Sequence, residues 1–184
     1  ALPQAVQAEA FDYPCELFEQ RTWQIQRNLP DNTLIEKTVN KIKKASNPMI
    51  VAGGGAIYSG SESVIKEFSE KHGIPVTETF AGKGTLHYSN PFNLGGIGAT
   101  GTKGANEIAK NSDLVIGVGT RYGDFTTASK SVWQNKNVEF ININVAEFDA
   151  FKNSAIPLQG DARETLKIIS HKLENHSTDK GYIE

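Results

Sequence analysis

Apolar residues fall into two alternating patterns along this chain. In the first they are consecutive and few: Met49-Ile50-Val51-Ala52, Ile74-Pro75-Val76-Thr77-Glu78, Asp113-Leu114-Val115-Ile116-Gly117-Val118, Val138 to Ile143, and Ala155 to Leu158. Short continuous runs of this kind predict strands covered on both faces. In the second they recur every third or fourth residue. Ile35, Val39 and Ile42 predict a helix over 32–45. Val64, Ile65 and Phe68 predict one that Gly73 terminates. Ala105, Ile108 and Ala109 predict one over 102–111, and Leu166, Ile169 and Leu173 mark a last one. Capping boxes are read at Thr33 with Glu36, Ser59 with Glu62, and Asp161 with Glu164. Asn47-Pro48 stops the first helix, and residues 80–100 read as a long glycine-rich connection in which Pro91 to Leu94 is a poor strand. Residues 1–30 show no period and read as an extended linker that wraps over a surface, with Phe11, Tyr13, Phe18, Trp23 and Ile25 scattered along it. Strands alternating with helices predict an α/β domain with a parallel, doubly wound sheet and right-handed crossovers.

Composition narrows the function classes. The 184 residues suit one domain, and 38% hydrophobic with 22% charged residues is a globular balance. A net charge of −2 gives no general attraction to nucleic acid. The Lys41 to Lys44 run reads as the basic last turn of a helix. One cysteine, Cys15, allows no internal disulfide and fits a reduced, cytoplasmic setting. Apolar runs are far short of a membrane span, and no signal peptide is visible. Both ends look like cuts in linkers, so a piece of a longer protein is expected.

Candidate chemistry centres on glycine. Gly96, Gly98 and Gly101 form a literal G-x-G-x-x-G leading into a helix, a pattern that in the right context grips the phosphates of a dinucleotide. Gly53-Gly54-Gly55 follows the first strand, but Tyr58 occupies the third fingerprint position. Glu78 ends the next strand, where an acid would hold a ribose. Gly117, Gly119 and Gly123 surround a third turn with Arg121. Three such turns at carboxyl ends of strands could converge on one crevice, where backbone N–H groups and Arg121 would suit an anion. Equally, glycine permits sharp turns and close packing whether or not anything binds. At this level both readings stand.

Other constellations are mostly negative. His72, His87, His171 and His176 show no metal spacing, and His72 and His171 read as helix-face residues. Cys15 lacks a nucleophile signature, and no G-x-S-x-G is present. Glu62 and Glu67 read as solvent-facing. Trp23 and Trp133 read as cover for a core edge or a domain interface. No catalytic and no metal-binding residue is assigned.

Several stretches, in order, resemble the central domain of thiamine-diphosphate-dependent enzymes of the acetohydroxyacid-synthase and pyruvate-oxidase kind: NPMIVAGGGAIYSG, HGIPVTETFAGKGTLHYSNPFNLGGIGATGT, SDLVIGVGTRYGDFTT, FININVAEFDAF and PLQGDARETL. The leading ALPQAVQAEAFDYP is similar to the linker ahead of this domain in the ring-opening hydrolases of the family. The resemblance implies a three-layer, six-stranded parallel Rossmann-like sheet of the DHS-like NAD/FAD-binding type, with a linker over 1–30, the central domain over 31–175 and a linker tail over 176–184. It implies a cytoplasmic, homo-oligomeric parent that opens a cyclic 1,2-dione in myo-inositol breakdown. Thiamine diphosphate and Mg would be held there by the flanking pyrimidine- and diphosphate-binding domains of the same chain. The fragment alone would be inactive, with no nucleic-acid or membrane partner. Gly160-Asp161-Ala162 departs from the metal motif of the following domain, so Asp161 reads as a helix cap.

Some relatives hold FAD or ADP in the central domain. Flavin binders often carry Met-His-Gly-Thr where Ala99-Thr100-Gly101-Thr102 stands, and Asp-Asp-Arg where Gly123-Asp124-Phe125 stands. The departures speak against FAD or ADP here. Should a nucleotide occupy the vestigial crevice, the candidate contacts are Gly53, Gly54, Gly55, Gly98, Gly101, Thr102, Gly119 and Arg121. Three roles therefore stay open: a structural interface domain of the larger hydrolase, a nucleotide-binding module, and a free-standing NAD oxidoreductase.

Overall fold

A computed structural model of the chain describes residues 1–183. The elements in order are α1 (Gln4–Ala8), α2 (Asn32–Lys44), β1 (Pro48–Ala52), α3 (Gly54–Tyr58), α4 (Glu62–His72), β2 (Val76–Glu78), β3 (Asn93–Gly96), α5 (Lys103–Asn111), β4 (Leu114–Val118), α6 (Asp124–Thr127), β5 (Glu139–Asn144), α7 (Glu147–Ala150), β6 (Ile156–Gln159), α8 (Ala162–Leu173) and α9 (Lys180–Ile183). The strands form one all-parallel sheet in the order β3-β2-β1-β4-β5-β6, the doubly wound arrangement the sequence predicts. Its order reverses between β1 and β4, which opens a crevice at their carboxyl ends.

Alternation along the strands divides the core. Ile50, Ala52, Leu114, Ile116 and Val118 face α2, α4 and α8, where Ile35, Ile42, Phe68, Leu166 and Ile169 meet them. Met49, Val51 and Val115 face the other way, toward Ala109 of α5 and the Tyr122 and Val132 side chains. Both faces of β1 and β4 are therefore buried, which is why their sequences are apolar without a break.

Four local readings are corrected. First, the connection 80–100 contains β3, an edge strand whose pairing with β2 runs from Val76 opposite Asn93 to Glu78 opposite Gly96. Second, the α2 cap is Asp31, which accepts from the Thr33 and Leu34 N–H groups at 2.8 and 3.3 Å. Third, Ser59 does not cap the start of α4: its hydroxyl donates to the Ala56 carbonyl at 3.0 Å, it closes α3 instead, and α4 starts after Ser61. Fourth, the two histidines read alike as helix-face residues differ: His72 lies on the wholly buried face of α4, whereas His171 is exposed on α8. Asp161 does cap α8, accepting from Glu164 N–H at 3.1 Å.

The two terminal segments attach at opposite ends of the strands. At the carboxyl end, Arg27 donates to Asp161 at 2.6 Å and to the Ser59 carbonyl at 3.0 Å, while Asp161 N–H donates to the Asn28 carbonyl at 2.8 Å. At the amino end, Thr178 N–H donates to the His72 carbonyl at 3.0 Å, and the Tyr182 hydroxyl donates to the Pro48 carbonyl at 2.9 Å. Burial pushes the Tyr182 phenol above its ordinary range, with Asp113 adding to the effect, so it stays a donor.

His72 supports this second attachment. Its Nδ1 lies 2.6 Å from the His176 carbonyl, which can only accept, so Nδ1 carries the proton; Nε2 lies 3.0 Å from the Ser170 hydroxyl. Desolvation lowers the imidazole pKa, opposed by the His176 carbonyl and helped by the charges of Lys71 and His176. A base with a depressed folded pKa binds fewer protons folded than unfolded between that value and the ordinary one of about 6.5. Its contribution is fully present above about pH 6.5 and is lost as pH falls through the folded pKa. The thermal midpoint is expected to fall between pH 7 and pH 5, and H72Q is expected to flatten that slope. Unchanged slopes in the variant would remove this assignment.

Candidate functional site

The carboxyl ends of β1, β2, β4 and β5 open onto a cleft of about 770 Å³. Its floor is made of glycine turns in direct backbone contact. A β-carbon on Gly55 would lie 2.7 Å from Gly119 Cα, one on Gly53 would lie 2.6 Å from Thr120 Cα, and one on Gly119 would meet Gly55 Cα at 2.5 Å. Gly54 and Gly55 begin α3 directly after β1, so a strand–glycine–helix turn is present. Tyr58, the residue that breaks the fingerprint, points into solvent, and the close approach is made by Gly53 and Gly55 instead.

The literal G-x-G-x-x-G also has a strand before it and a helix after it, β3 and α5. Its amides, however, are turned inward. Ile97 N–H donates to the Glu78 carbonyl at 3.0 Å, Ala99 N–H to Phe125 at 2.8 Å, Gly101 N–H to Gly98 at 2.9 Å, and Thr102 N–H to Gly96 at 2.8 Å. Gly98 N–H donates to Asn106 Oδ1, and Asn106 Nδ2 donates back to the Gly98 carbonyl, both at 2.9 Å. The Thr102 hydroxyl caps α5 at Ala105 N–H, 3.1 Å, and itself donates to Leu94. The other turns behave alike: Gly53, Gly55 and Gly119 donate to Val118, Gly119 and Ile143 at 2.8, 3.0 and 2.8 Å. An anion site at a helix start depends on amides left without partners. Among the described residues, the Gly54 N–H in the first turn of α3, the N–H and guanidinium of Arg121, and the neighbouring Thr120 and Gly123 N–H groups have no protein acceptor.

The remaining polar groups of the cleft brace its loops. Asn144 donates to the Thr120 carbonyl at 3.0 Å and accepts from Ala146 N–H at 3.0 Å. Asp149 pairs with Lys152 at 2.7 Å, and Lys152 also donates to the Arg121 carbonyl at 2.7 Å. Burial pushes the Tyr122 phenol well above its ordinary range, so it stays protonated and is no base at neutral pH. Glu78, read as a ribose acid, is buried away from the cleft and accepts from Leu86 N–H at 2.9 Å, fixing the 80–92 connection. No group of three or more His, Cys, Asp or Glu among the described residues is placed to hold a metal ion. No helix among them is long and apolar enough to cross a membrane.

The structure thus brings Gly54, Gly55, Gly119 and Arg121 to one crevice, with Gly53 buried beneath them. Gly98, Gly101 and Thr102 lie in the neighbouring β3–α5 turn rather than lining the cleft, with Gly98 against α6, Gly101 against Gly96 and Ile97, and Thr102 against Gly95. Sequence reasoning missed the exposed aromatic rim: Tyr58, Phe80, Phe125, Phe148 and Phe151, of which Phe80 and Phe125 meet edge to face at 6.3 Å. Each follows the carboxyl end of a strand, and that shared position was the available signal. Trp133 covers a core edge against Tyr122 and Phe140, as read. Trp23 covers nothing among the described residues and is 79% exposed.

Among known proteins, residues 35–169 match the family described as "Thiamine pyrophosphate enzyme, central domain". The chain is 45% identical over 181 residues, 98% of its length, to a Bacillus cereus protein named 3D-(3,5/4)-trihydroxycyclohexane-1,2-dione hydrolase, of which it covers 28%. A protein of the same name from Clostridium tetani is 46% identical over 182 residues, 99% of this chain and 28% of that one. One from Bacillus thuringiensis is 47% identical over 173 residues, 94% of this chain and 27% of that one. The chain spans little more than a quarter of the length of the curated relatives it matches.

Proposed function

The chain belongs to the central-domain family of thiamine pyrophosphate enzymes, and from that premise we propose that it is the structural and interface layer of a longer hydrolase. That parent uses thiamine diphosphate and Mg, breaks a C–C bond, and opens the ring of a cyclic 1,2-dione in myo-inositol breakdown. The substrate class rests on the name carried by relatives about 45% identical over nearly the whole chain. Thiamine diphosphate, when bound by the parent's other domains, supplies carbanion chemistry; the polypeptide contributes orientation. This domain holds those neighbours in place, in a cytoplasmic homo-oligomer, and does not turn over substrate alone.

One observation carries the non-catalytic reading. The amides of Gly53, Gly55, Gly101 and Gly119 donate to the domain's own backbone and that of Gly98 to Asn106, which supports turns built for packing. A second reading, a nucleotide module for FAD or ADP, draws on the Gly54 N–H, the unpaired Arg121 and the aromatic rings at the rim. Calorimetric titration of the chain with FAD, ADP and NAD separates the two. No saturable binding is expected, and micromolar saturation by any of them would favour the second reading. For the parent, ring opening is expected only when thiamine diphosphate and Mg are both supplied; turnover without them would defeat the assignment.

A further inference from the structure

Tyr58, Phe80, Phe125, Phe148 and Phe151 are each 59% to 87% exposed, and all stand at the carboxyl end of the sheet. They come from four separate connections: the end of α3, the turn after β2, α6, and the α7 region. Phe148 also lies 5.0 Å under the Lys152 ammonium. Tyr58, Phe80 and Phe148 line the cleft, Phe125 meets Phe80, and Phe151 shares an adjoining hollow with Phe148; an exposed aromatic cluster of this kind marks an interaction site rather than ordinary surface. The Gly55 and Gly119 amides at the floor are engaged internally, and the exposed rings around it offer aromatic area suited to a protein surface.

The chain's own path indicates which surface. Arg27 ties the N-terminal segment to the Ser59 carbonyl, next to Tyr58, so polypeptide leading into this domain arrives at the edge of the rim. The family is a central domain, and the relatives extend far beyond the matched 28%. We infer that the aromatic rim docks the body preceding this domain in the parent polypeptide, and that Arg121 receives a carboxylate of that body at the centre of the contact. The inference rests on the proposed role as an interface layer and names its partner. A buried arginine–carboxylate pair ringed by aromatics fits the usual anatomy of such contacts.

The test is hydroxyl-radical footprinting of the full-length parent, with each rate normalised to the unfolded chain. Phe68, 1% exposed, and Tyr88, 86% exposed, serve as internal references. Phe80, Phe125 and Phe148 are expected to label at rates near that of Phe68, whatever the protein concentration and with or without ADP. Rates near that of Tyr88 would overturn the inference. Protection lost on dilution to the monomer would assign the rim to a second copy and overturn it. Protection seen only with ADP would assign it to a nucleotide, with the same result. R121E, a change at an exposed side chain, is expected to raise Phe80 and Phe125 labelling several-fold with the thermal midpoint retained; unchanged labelling would overturn the pairing. A parent that shows the protection but no ring opening would refute the functional reading and leave the docking intact.

Discussion

Gly98→Ala is expected to destabilise the domain by about 3–5 kcal/mol, one of the two largest effects of a single substitution anticipated here. Gly98 has φ +98°, a region that L side chains rarely adopt. An added β-carbon would also run into the Phe125 carbonyl and lie 2.6 Å from the Thr126 carbonyl oxygen. Neither obstacle can swing aside, because both are backbone. The turn cannot back away either: Ala99 N–H is bonded to the Phe125 carbonyl, and Asn106 grips Gly98 through both of its backbone groups. At roughly 2–4 °C per kcal/mol for a domain of this size, the thermal midpoint should drop by about 6–20 °C. Gly104→Ala is the matching control, since nothing lies within 4 Å of a β-carbon there and the position is helical. It should be neutral or stabilising by up to about 1 kcal/mol. A glycine kept only for ligand approach would tolerate alanine in the ligand-free protein, so a Gly98→Ala loss below about 1 kcal/mol would defeat the packing interpretation.

Phe68→Ala should be comparably severe, at about 3–5 kcal/mol. Phe68 is among the largest fully buried side chains and sits where α4 meets the sheet and α8. Its ring also meets His72 edge to face at 4.7 Å. Truncation therefore removes buried area, opens a cavity, and loosens the imidazole that holds the His176 carbonyl. Chemical denaturation should show a lower midpoint with an unchanged slope. Phe68→Leu should recover a good part of the loss, since most of the volume returns. A Phe68→Ala penalty below about 1.5 kcal/mol would mean that the site collapses around the gap and that α4 is not a main anchor of the core.

Much of this architecture was legible because burial on both faces leaves a plain trace. Leu114 to Val118 and Met49 to Ala52 read as strands from apolar continuity alone, and Ile35, Val39 and Ile42 gave away the buried stripe of α2. β3 was not legible. Asn93-Leu94-Gly95-Gly96 has little strand propensity of its own and is half-exposed at the sheet edge; pairing with β2 imposes its extension. The Ser59–Glu62 box failed because Gly60, at φ +65°, inserts a turn that moves the cap to Ser61. The glycines of the turns were visible as glycines, but their role was not. Whether Gly98 N–H meets a phosphate or Asn106 depends on where α5 lies, and that is a tertiary fact. The aromatic rim was hidden for the same reason: its members lie far apart in sequence, and strand order gathers them.

The stitching of the two terminal segments has a mechanical consequence. One stitch is at Asp161, beyond β6, and at Ser59, beyond β1; the other is at His72 and at Pro48, the start of β1. Tension applied between them runs along the strands: along β1 between Pro48 and Ser59, and across the β4–β1, β5–β4 and β6–β5 ladders in shear toward Asp161. Bonds loaded in shear share the strain instead of unzipping one after another. A body wired in this way passes a displacement from one attachment to the other as a rigid shift.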